Sequence, residues 1–251
     1  ALLYTMHDPK YNYLYETEPE PFMNNRKMFC PRGKMLGGCS SHNGMVHVRG
    51  NAMDFENWGQ LGLSNWNYES VLPYFKKSES IEGLDTKYRN TDGPLRLSRT
   101  ENGNILSKIY LEAAAEAGYE INNDMNGYKQ EGFGLMDTTI FDGKRQSTSV
   151  TYLHPIKQRQ NLTLVTNVQV SKIIIENSSA VGVEIKNKNR LEKIFAEKEV
   201  LLSAGAINSP QILMLSGVGP EEELKNHGIS VVSALNGVGE NLQDHLETYV
   251  Q

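Results

Sequence analysis

The 251-residue chain lacks the sequence features that are typical of disulfide-rich and membrane-spanning proteins. It contains two cysteines, Cys30 and Cys39, which are too few for a disulfide framework and too far apart for a CxxC pair. This low cysteine content favours reduced thiols in a cytosol-like compartment. No apolar run is long enough to cross a bilayer, and no segment has the pattern of a signal peptide.

Charge and histidine spacing exclude further functions. The net charge of −5 gives no reason to expect nucleic acid or an anionic membrane as a partner. None of the six histidines lies four residues from another, and no cysteine completes a zinc set, so we predict no metal site. The 39% hydrophobic and 22% charged residues are typical of a folded protein with one large or two small domains.

Periodicity and capping residues predict several helices. One runs from Tyr68 to about Ser78, with Asn67 as its N-cap. A second covers residues 105–117 and stops at Gly118. A short surface helix is expected between Pro220 and Gly228.

Strand candidates fall mostly in the second half of the chain. Residues 133–140 are strand-like and are closed by a hairpin turn at Asp142-Gly143. Residues 199–203 form the most buried-looking strand, which runs into Gly205, and a helix follows from about Pro210. Such a strand–glycine–helix unit places a helix N-terminus over the edge of a sheet, where ligands of α/β proteins bind. Four further short segments suggest a meander: Leu162–Thr166, Val170–Glu176, Ala180–Lys186 and Lys193–Ala196.

The sequence is organised around residues 31–58, PRGKMLGGCSSHNGMVHVRGNAMDFENW. Within it, residues 37–43 (GGCSSHN) form what we call the glycine–serine loop. Two glycines before small hydroxyl side chains allow the backbone to approach a large ligand and to turn its N–H groups towards it. Taken alone, such a loop is more often a tight surface turn than a ligand site.

The longer pattern resembles the first signature of the glucose–methanol–choline (GMC) family of flavin oxidoreductases. GAINSPQILMLSGVG, residues 205–219, resembles the second signature of that family, and GVGENLQDH, residues 237–245, resembles a third motif. The resemblance covers nearly all of the chain. It implies a mixed α/β fold: an incomplete, Rossmann-like FAD-binding domain with part of a substrate-binding domain.

The resemblance also implies a domain organisation. Members of the family begin with a strand–GxGxxG–helix unit and carry a catalytic histidine in their C-terminal part. Neither is found in this sequence, so the chain is expected to be an internal fragment that is inactive alone. Residues 1–101 and 158–245 would belong to the FAD-binding domain, and 102–157 and 246–251 to the substrate-binding domain.

The FAD contacts implied by the resemblance lie in three places. The first is the glycine–serine loop, with Gly37, Gly38, Ser40, Ser41, His42 and Asn43. The others are Val170, near the adenine, and the backbone of Ala204, Gly205 and Ala206. In choline-oxidising relatives with the same GGCSSHN string, the histidine is bonded covalently to the flavin, which raises its redox potential. The alternative is that His42 only hydrogen-bonds the cofactor.

The substrate implied by the resemblance is choline, which would be oxidised to betaine aldehyde by hydride transfer to flavin N5. Glu247 stands two residues beyond His245, where choline-oxidising relatives hold the quaternary ammonium with a carboxylate. The family's general base, a histidine, is expected beyond Gln251, so no catalytic residue is assigned in this chain. The alternatives are a surface role for Glu247, a GMC enzyme for another alcohol, or an inactive remnant.

The expected partners are therefore a small-molecule alcohol and FAD, without nucleic acid or a transmembrane segment. The expected compartment is the cytoplasm, or the matrix side of the mitochondrion in a eukaryote. Peripheral association with a membrane through the electron acceptor and the oligomeric state are both left open.

Overall fold

The computed structural model describes residues 5–99, 104–188 and 190–248. These divide into two compact units, unit 1 up to Leu162 and unit 2 from Thr163 onwards. Both combine helices with short strands, which agrees with the predicted mixed α/β class. In the described residues, no helix is long and apolar enough to cross a membrane.

Unit 1 is built from short elements joined by long connections. Its helices are α1 (Ala52–Gln60), α2 (Tyr68–Ser78) and α3 (Ile105–Glu116). Its strands are β1 (Tyr15–Glu16), β2 (Phe29–Cys30), β3 (Val46–His47), β4 (Glu79–Ser80), β5 (Leu95–Arg96), β6 (Ser98–Arg99), β7 (Asp137–Thr138), β8 (Ile140–Phe141) and β9 (Lys144–Arg145). Single turns of 3₁₀-helix cover Pro21–Met23, Gly38–Ser41, Ser64–Trp66 and His154–Ile156, and a π-helical turn covers Ser149–Leu153.

The helix predictions in unit 1 are confirmed, together with their caps. The Asn67 side chain accepts a hydrogen bond from the backbone N–H of Ser70 at 2.9 Å and thereby starts α2. Helix α3 ends at Glu116, and Gly118 follows with a φ of +84°, which a glycine adopts without steric cost.

The single strand predicted for residues 133–140 is wrong. The backbone N–H of Phe133 bonds instead to Glu120 O at 2.9 Å, in a loop, and only β7 and β8 are extended. β7 is the centre of a three-stranded sheet, between β3 and β6, so its pairing ends where those two short partners end. The turn at Asp142-Gly143 is confirmed: both residues have positive φ, and the turn pairs β8 with β9 in antiparallel register.

Unit 2 contains the predicted meander. Strands β10 (Gln169–Glu176), β11 (Ser179–Asn187) and β12 (Arg190–Phe195) form an antiparallel sheet in that order. Residues Asn177 and Ser178 form the first turn, both with positive φ. The connection between β11 and β12 includes residue 189, which lies outside the described residues. Helix α4 (Gly205–Leu215), helix α5 (Glu221–Asn226) and the parallel pair β13 (Val218–Gly219) and β14 (Ser233–Ala234) complete the unit.

Two predicted strands of unit 2 are absent. Residues 162–166 and 199–203 are irregular, and Leu201 is 79% exposed rather than buried. A β-branched or apolar run becomes a strand only where a neighbouring strand pairs with it, and in the described residues nothing pairs with these segments. The following helix starts at Gly205 rather than near Pro210, which lies inside it.

Each unit has its own small core. In unit 1 it includes Val71, Ile81, Tyr88, Leu97 and Ala114, and in unit 2 Ile173, Ile185, Ile212, Leu224 and Val238. In unit 2 the Ser216 hydroxyl links α4 to the sheet, because it accepts a hydrogen bond from the N–H of Ile173 at 2.7 Å. The predicted short helix after Pro220 is confirmed as α5.

Candidate functional site

The glycine–serine loop has a backbone that only glycine adopts easily. Gly37 and Gly38 have φ values of +86° and +52°, and residues 38–41 form a 3₁₀ turn. A Cβ atom on Gly37 would lie 2.3 Å from Ser41 Oγ and 3.2 Å from the backbone N of Ser149, so Gly37 is packed inwards. A Cβ atom on Gly38 would meet no atom within 4 Å. The loop therefore presents bare backbone on one side, where a large ligand can approach.

The two serines stabilise the shape of the loop. Ser40 Oγ donates to Gly37 O at 2.6 Å, and Ser41 Oγ donates to Leu36 O at 2.8 Å. Each hydroxyl then has acceptor capacity left, whereas its proton is already used. The backbone N–H groups of Gly38, Ser40, His42 and Asn43 already donate to carbonyls of residues 35–39, so the loop offers mainly hydroxyl lone pairs to a bound ligand.

His42 ends the 3₁₀ turn and is buried, with 5% of its surface exposed. Neither Nδ1 nor Nε2 has a hydrogen-bond partner among the described residues. Burial, followed by the positive charges of Arg145 and Arg32, lowers the pKa of His42, so the ring is neutral at pH 7. An unpaired buried polar group costs about 1–3 kcal/mol. The imidazole therefore has capacity for a partner, and its ring must turn outwards to reach one.

A network of buried charges lies directly after the loop and was not predicted. Its centre is Glu79, which is 0% exposed. Glu79 Oε1 is 2.7 Å from both Arg49 Nη2 and Arg89 Nε, and Oε2 is 3.4 Å from His47 Nε2. Burial acts to raise the pKa of Glu79, but hydrogen bonds from His47 and Arg89 and the charges of both arginines outweigh it and lower the pKa to about 2.

The network continues to β7. Asp137 Oδ2 accepts hydrogen bonds from Arg89 Nη2 at 2.7 Å and from Asn126 Nδ2 at 3.2 Å. Asn126 Nδ2 also donates to His47 O at 3.0 Å, and Asn126 Oδ1 accepts from the N–H of Arg49 at 2.7 Å. The backbone that leaves the glycine–serine loop is therefore bonded to groups more than seventy residues away in sequence.

No sequence signal identifies this network. Its members come from β3, the N-terminal approach to α1, β4, β7 and two loops, and charged residues at such spacings are usually solvated. The one available hint is Arg49-Gly50, a charged residue between the apolar run 45–48 and a capped helix. A basic residue there is as easily a surface residue.

The predicted site residues of unit 2 lie on two elements. Val170 is half-buried in β10, opposite Ile185. Ala204, Gly205 and Ala206 form the exposed start of α4, and Gly205 has a φ of +91° with open space where a Cβ would lie. The helix N-terminus, which lies at Gly205 and not near Pro210, therefore presents accessible backbone at the residues predicted to contact FAD, although the preceding strand is absent.

His245 and Glu247 lie in an exposed irregular segment, residues 241–248. The N–H of His245 bonds to Asp244 Oδ1 at 3.0 Å. The remaining residues of the predicted substrate segment, 249–251, are outside the described residues.

Two cavities lie in unit 1, and residues of the glycine–serine loop line neither of them. One of about 560 Å³ is lined by aromatic residues of α1 and α2 and the turn between them. The other, of about 290 Å³, is bordered by residues 49–53, Tyr68 and residues 125–131. Among the described residues, no group of three or more His, Cys, Asp or Glu side chains is arranged to hold a metal ion.

Comparison with known proteins gives consistent matches. The model of the GMC oxidoreductase family matches residues 11–247. The chain is 48% identical over its whole length to mitochondrial choline dehydrogenase from Mus musculus and 49% identical to oxygen-dependent choline dehydrogenase from Rhizobium etli. It spans 42% and 46% of the length of these two relatives.

A solved structure of another protein shares the fold of this chain. An FAD-dependent oxidoreductase from Chaetomium thermophilum superposes with a TM-score of 0.89 at 31% identity, over 95% of this chain and 44% of that one. Because the family model covers almost all residues and the fold agrees, the chain belongs to the GMC oxidoreductase family, whose members are FAD-dependent flavoproteins.

Proposed function

We propose that this chain is part of a longer FAD-dependent enzyme that oxidises choline to betaine aldehyde. The observation that carries the proposal is the identity of 48–49% over all 251 residues to choline dehydrogenases of a mammal and a bacterium. Because those relatives are more than twice as long, the chain by itself is proposed to be inactive and the general base to lie outside it.

The described residues suit an FAD molecule. Gly38 leaves open space beside its half-buried backbone, and His42 has two ring nitrogens without a partner in the described residues, so the loop has room and unused polar groups for a large polar ligand. We assign the loop residues Gly37, Gly38, Ser40, Ser41, His42 and Asn43 to this role in unit 1. In unit 2 we assign Val170, Ala204, Gly205 and Ala206. When bound, FAD supplies the hydride acceptor at N5.

We propose further that His42 is bonded covalently to the flavin. A ring nitrogen of His42 would form a bond to the methyl carbon at flavin position 8. The imidazole N–H hydrogen and one methyl hydrogen would end on the isoalloxazine, which is thereby reduced by two electrons, and dioxygen or a quinone would take those electrons. The low pKa of His42 supports this role, because only the neutral imidazole has a lone pair for the bond.

Glu247 is proposed to face the quaternary ammonium of choline, with His245 beside it. A permanent cation without hydrogen-bond donors is recognised by a carboxylate and by aromatic faces. Glu247 is exposed in the described part of unit 2, so its pocket would be completed by other parts of the enzyme.

The proposed compartment is the cytoplasm, or the matrix side of the mitochondrion in a eukaryote, in line with the bacterial and mitochondrial relatives. The domain boundaries stay predictions: residues 1–101 and 158–245 bind FAD, and 102–157 and 246–251 face the substrate.

The test is choline oxidation by the complete protein that the gene encodes, in the wild type and in Glu247→Gln. Loss of one partner of a buried charge pair costs about 2–5 kcal/mol, or roughly 30-fold or more in binding. We expect that loss for choline and a far smaller one for 3,3-dimethylbutan-1-ol, the neutral isostere, with an unchanged flavin spectrum. Glu240→Gln, an exposed acid seven residues earlier, is the matched control.

The outcomes separate the alternatives. Equal losses for both alcohols would show that Glu247 supports the pocket without recognising charge. A protein that binds FAD but oxidises another alcohol faster than choline would keep the family and overturn the substrate. A protein without bound flavin would overturn the enzyme assignment.

A further inference from the structure

Arg145 connects the β8–β9 hairpin to the glycine–serine loop. Its Nη1 donates to Asn43 Oδ1 at 2.7 Å and to Ser40 O at 3.2 Å. These two acceptors lie on either side of His42 in the sequence. The guanidinium therefore fixes the residue after His42 and the backbone before it at the same time.

The position of Arg145 is itself well determined. The turn at Asp142-Gly143 sets the register in which Arg145 lies opposite Ile140. The next residue, Gln146, donates its N–H to Thr139 O at 2.8 Å and extends the pairing of the hairpin. A planar guanidinium on a fixed strand holds two acceptors with defined geometry, which a flexible lysine does not.

Thr148 holds the same loop from the next turn of chain. Its N–H donates to Ser40 Oγ at 2.9 Å, and its hydroxyl lies 3.3 Å from Gly37 O. The buried Ser149 packs against Gly37, so the start of the π-helical turn covers Gly37 and leaves Gly38 open. Thr148 therefore holds Gly37 and Ser40 at the start of the loop, whereas Arg145 holds the residues on either side of His42.

The charge of Arg145 acts on the same histidine. The charged groups that shift the pKa of His42 are Arg145 in β9 and Arg32 in the segment before the loop, and both are cationic. Burial is the larger cause, and both charges add to it in the same direction. One side chain thus fixes the loop around His42 and disfavours the imidazolium form.

We propose that Arg145 is a positioning residue for the flavin: its hydrogen bonds hold Ser40 and Asn43, on either side of His42, in the conformation that binds FAD. The inference rests on the proposed FAD site and goes beyond it, because Arg145 belongs to neither signature of the family. Its two contributions, hydrogen bonding and charge, are separable by substitution. Lysine retains the charge but replaces the planar guanidinium, whose Nη1 makes both bonds, with a flexible ammonium, whereas glutamine retains an N–H donor and loses the charge.

The first experiment follows the imidazole in the complete protein without flavin. Histidine labelled with ¹³C at Cε1 is titrated by NMR, and His42 is identified as the resonance that is absent in His42→Gln. We expect the pKa of His42 to rise in Arg145→Gln and to stay unchanged in Arg145→Lys. Lys144→Gln, an exposed cation on the same strand, should have no effect. An unchanged pKa in Arg145→Gln would refute the electrostatic part.

The second experiment measures FAD binding and attachment. Both Arg145 variants should bind FAD about tenfold more weakly than Lys144→Gln, because the charge-assisted bond to Asn43 is lost or misplaced. Asn43→Ala, which removes the acceptor and keeps Arg145, should weaken FAD binding without raising the pKa of His42. In wild type, the pH profile of acid-stable flavin incorporation should have its acid limb at the pKa of His42, and Arg145→Gln should move this limb to higher pH.

These results distinguish failure of the inference from failure of the proposed function. If all wild-type flavin is released by acid, covalent attachment is wrong, whereas the titration and the FAD affinity still decide the role of Arg145. Wild-type affinity in both Arg145 variants and in Asn43→Ala would overturn the positioning role. Should Arg145→Gln not fold, Arg145→Lys and Asn43→Ala still test the hydrogen bonds.

Discussion

Substitution of Glu79 by glutamine should destabilise the protein more than any exposed substitution nearby. The Glu79 carboxylate balances the positive charge of two buried guanidinium groups, those of Arg49 and Arg89, each at 2.7 Å. Its pKa of about 2, against an ordinary value of 4.5, corresponds to about 3 kcal/mol at neutral pH. Removal of one partner from a buried ion pair costs about 3–5 kcal/mol. The pKa shift and the cost of a broken ion pair agree, so we expect Glu79→Gln to lower the free energy of unfolding by about 3 kcal/mol.

The stability that is lost in Glu79→Gln should become smaller at low pH. The pKa of Glu79 is lowered in the folded state, so its contribution is complete above the unfolded pKa of about 4.5. The contribution disappears as the pH falls from there towards 2, because protonation then removes the charge in both states. The difference in stability between wild type and Glu79→Gln should therefore be constant from pH 7 to about 5 and shrink below it.

The measurement is thermal and urea unfolding of the complete protein, with Glu82→Gln as the control. Glu82 is exposed three residues further along the chain, and its substitution should change stability by less than about 0.5 kcal/mol. For a unit of this size, 3 kcal/mol corresponds to a fall in Tm of roughly 6–12 °C. A fall in Tm equal to that of Glu82→Gln, or a difference that persists unchanged at pH 3, would refute the reasoning.

Two further predictions concern the glycine–serine loop in the complete protein. Gly37→Ala should abolish tight FAD binding and lower the Tm, because its Cβ would lie 2.3 Å from Ser41 Oγ at a φ of +86°. The control is Gly143→Ala, which is also at positive φ but in open space. Equal effects of the two substitutions would contradict the packing argument. After acid precipitation, yellow flavin should stay in the wild-type pellet, and His42→Ala should release it to the supernatant. A colourless wild-type pellet would end the covalent assignment.

Local chemistry made several elements predictable. Asn67 and Gly118 act through their own side chain or backbone freedom, and their effects on α2 and α3 do not depend on distant residues. The same is true of the turn at Asp142-Gly143. The glycine–serine loop was also recognisable, since two glycines and two serines in that order constrain the backbone wherever they occur.

The wrong predictions have a common physical origin. Residues 199–203 and 133–140 have strand composition, but a strand is made by its partner, and the partner is set by tertiary structure. The buried network is the stronger example. Asn126 bonds to the backbone at residues 47 and 49 from 77 or more positions away, and nothing in the local sequence distinguishes it from an exposed loop asparagine.

The buried charges and the strained loop are physically connected. Met45, two residues after the loop, has a positive φ of 66°, which costs a non-glycine residue free energy, and His42 leaves two buried nitrogens without a partner among the described residues. Both features disfavour the observed backbone, so this segment would relax if it were held only by its own bonds. It is instead fixed by Arg145 and Thr148 on one side, and its exit is fixed by Asn126 and Glu79 through His47 and Arg49. Because the surrounding bonds offset the strain in the absence of ligand, FAD binding would not need to order the loop, and more of the interaction energy would appear as affinity.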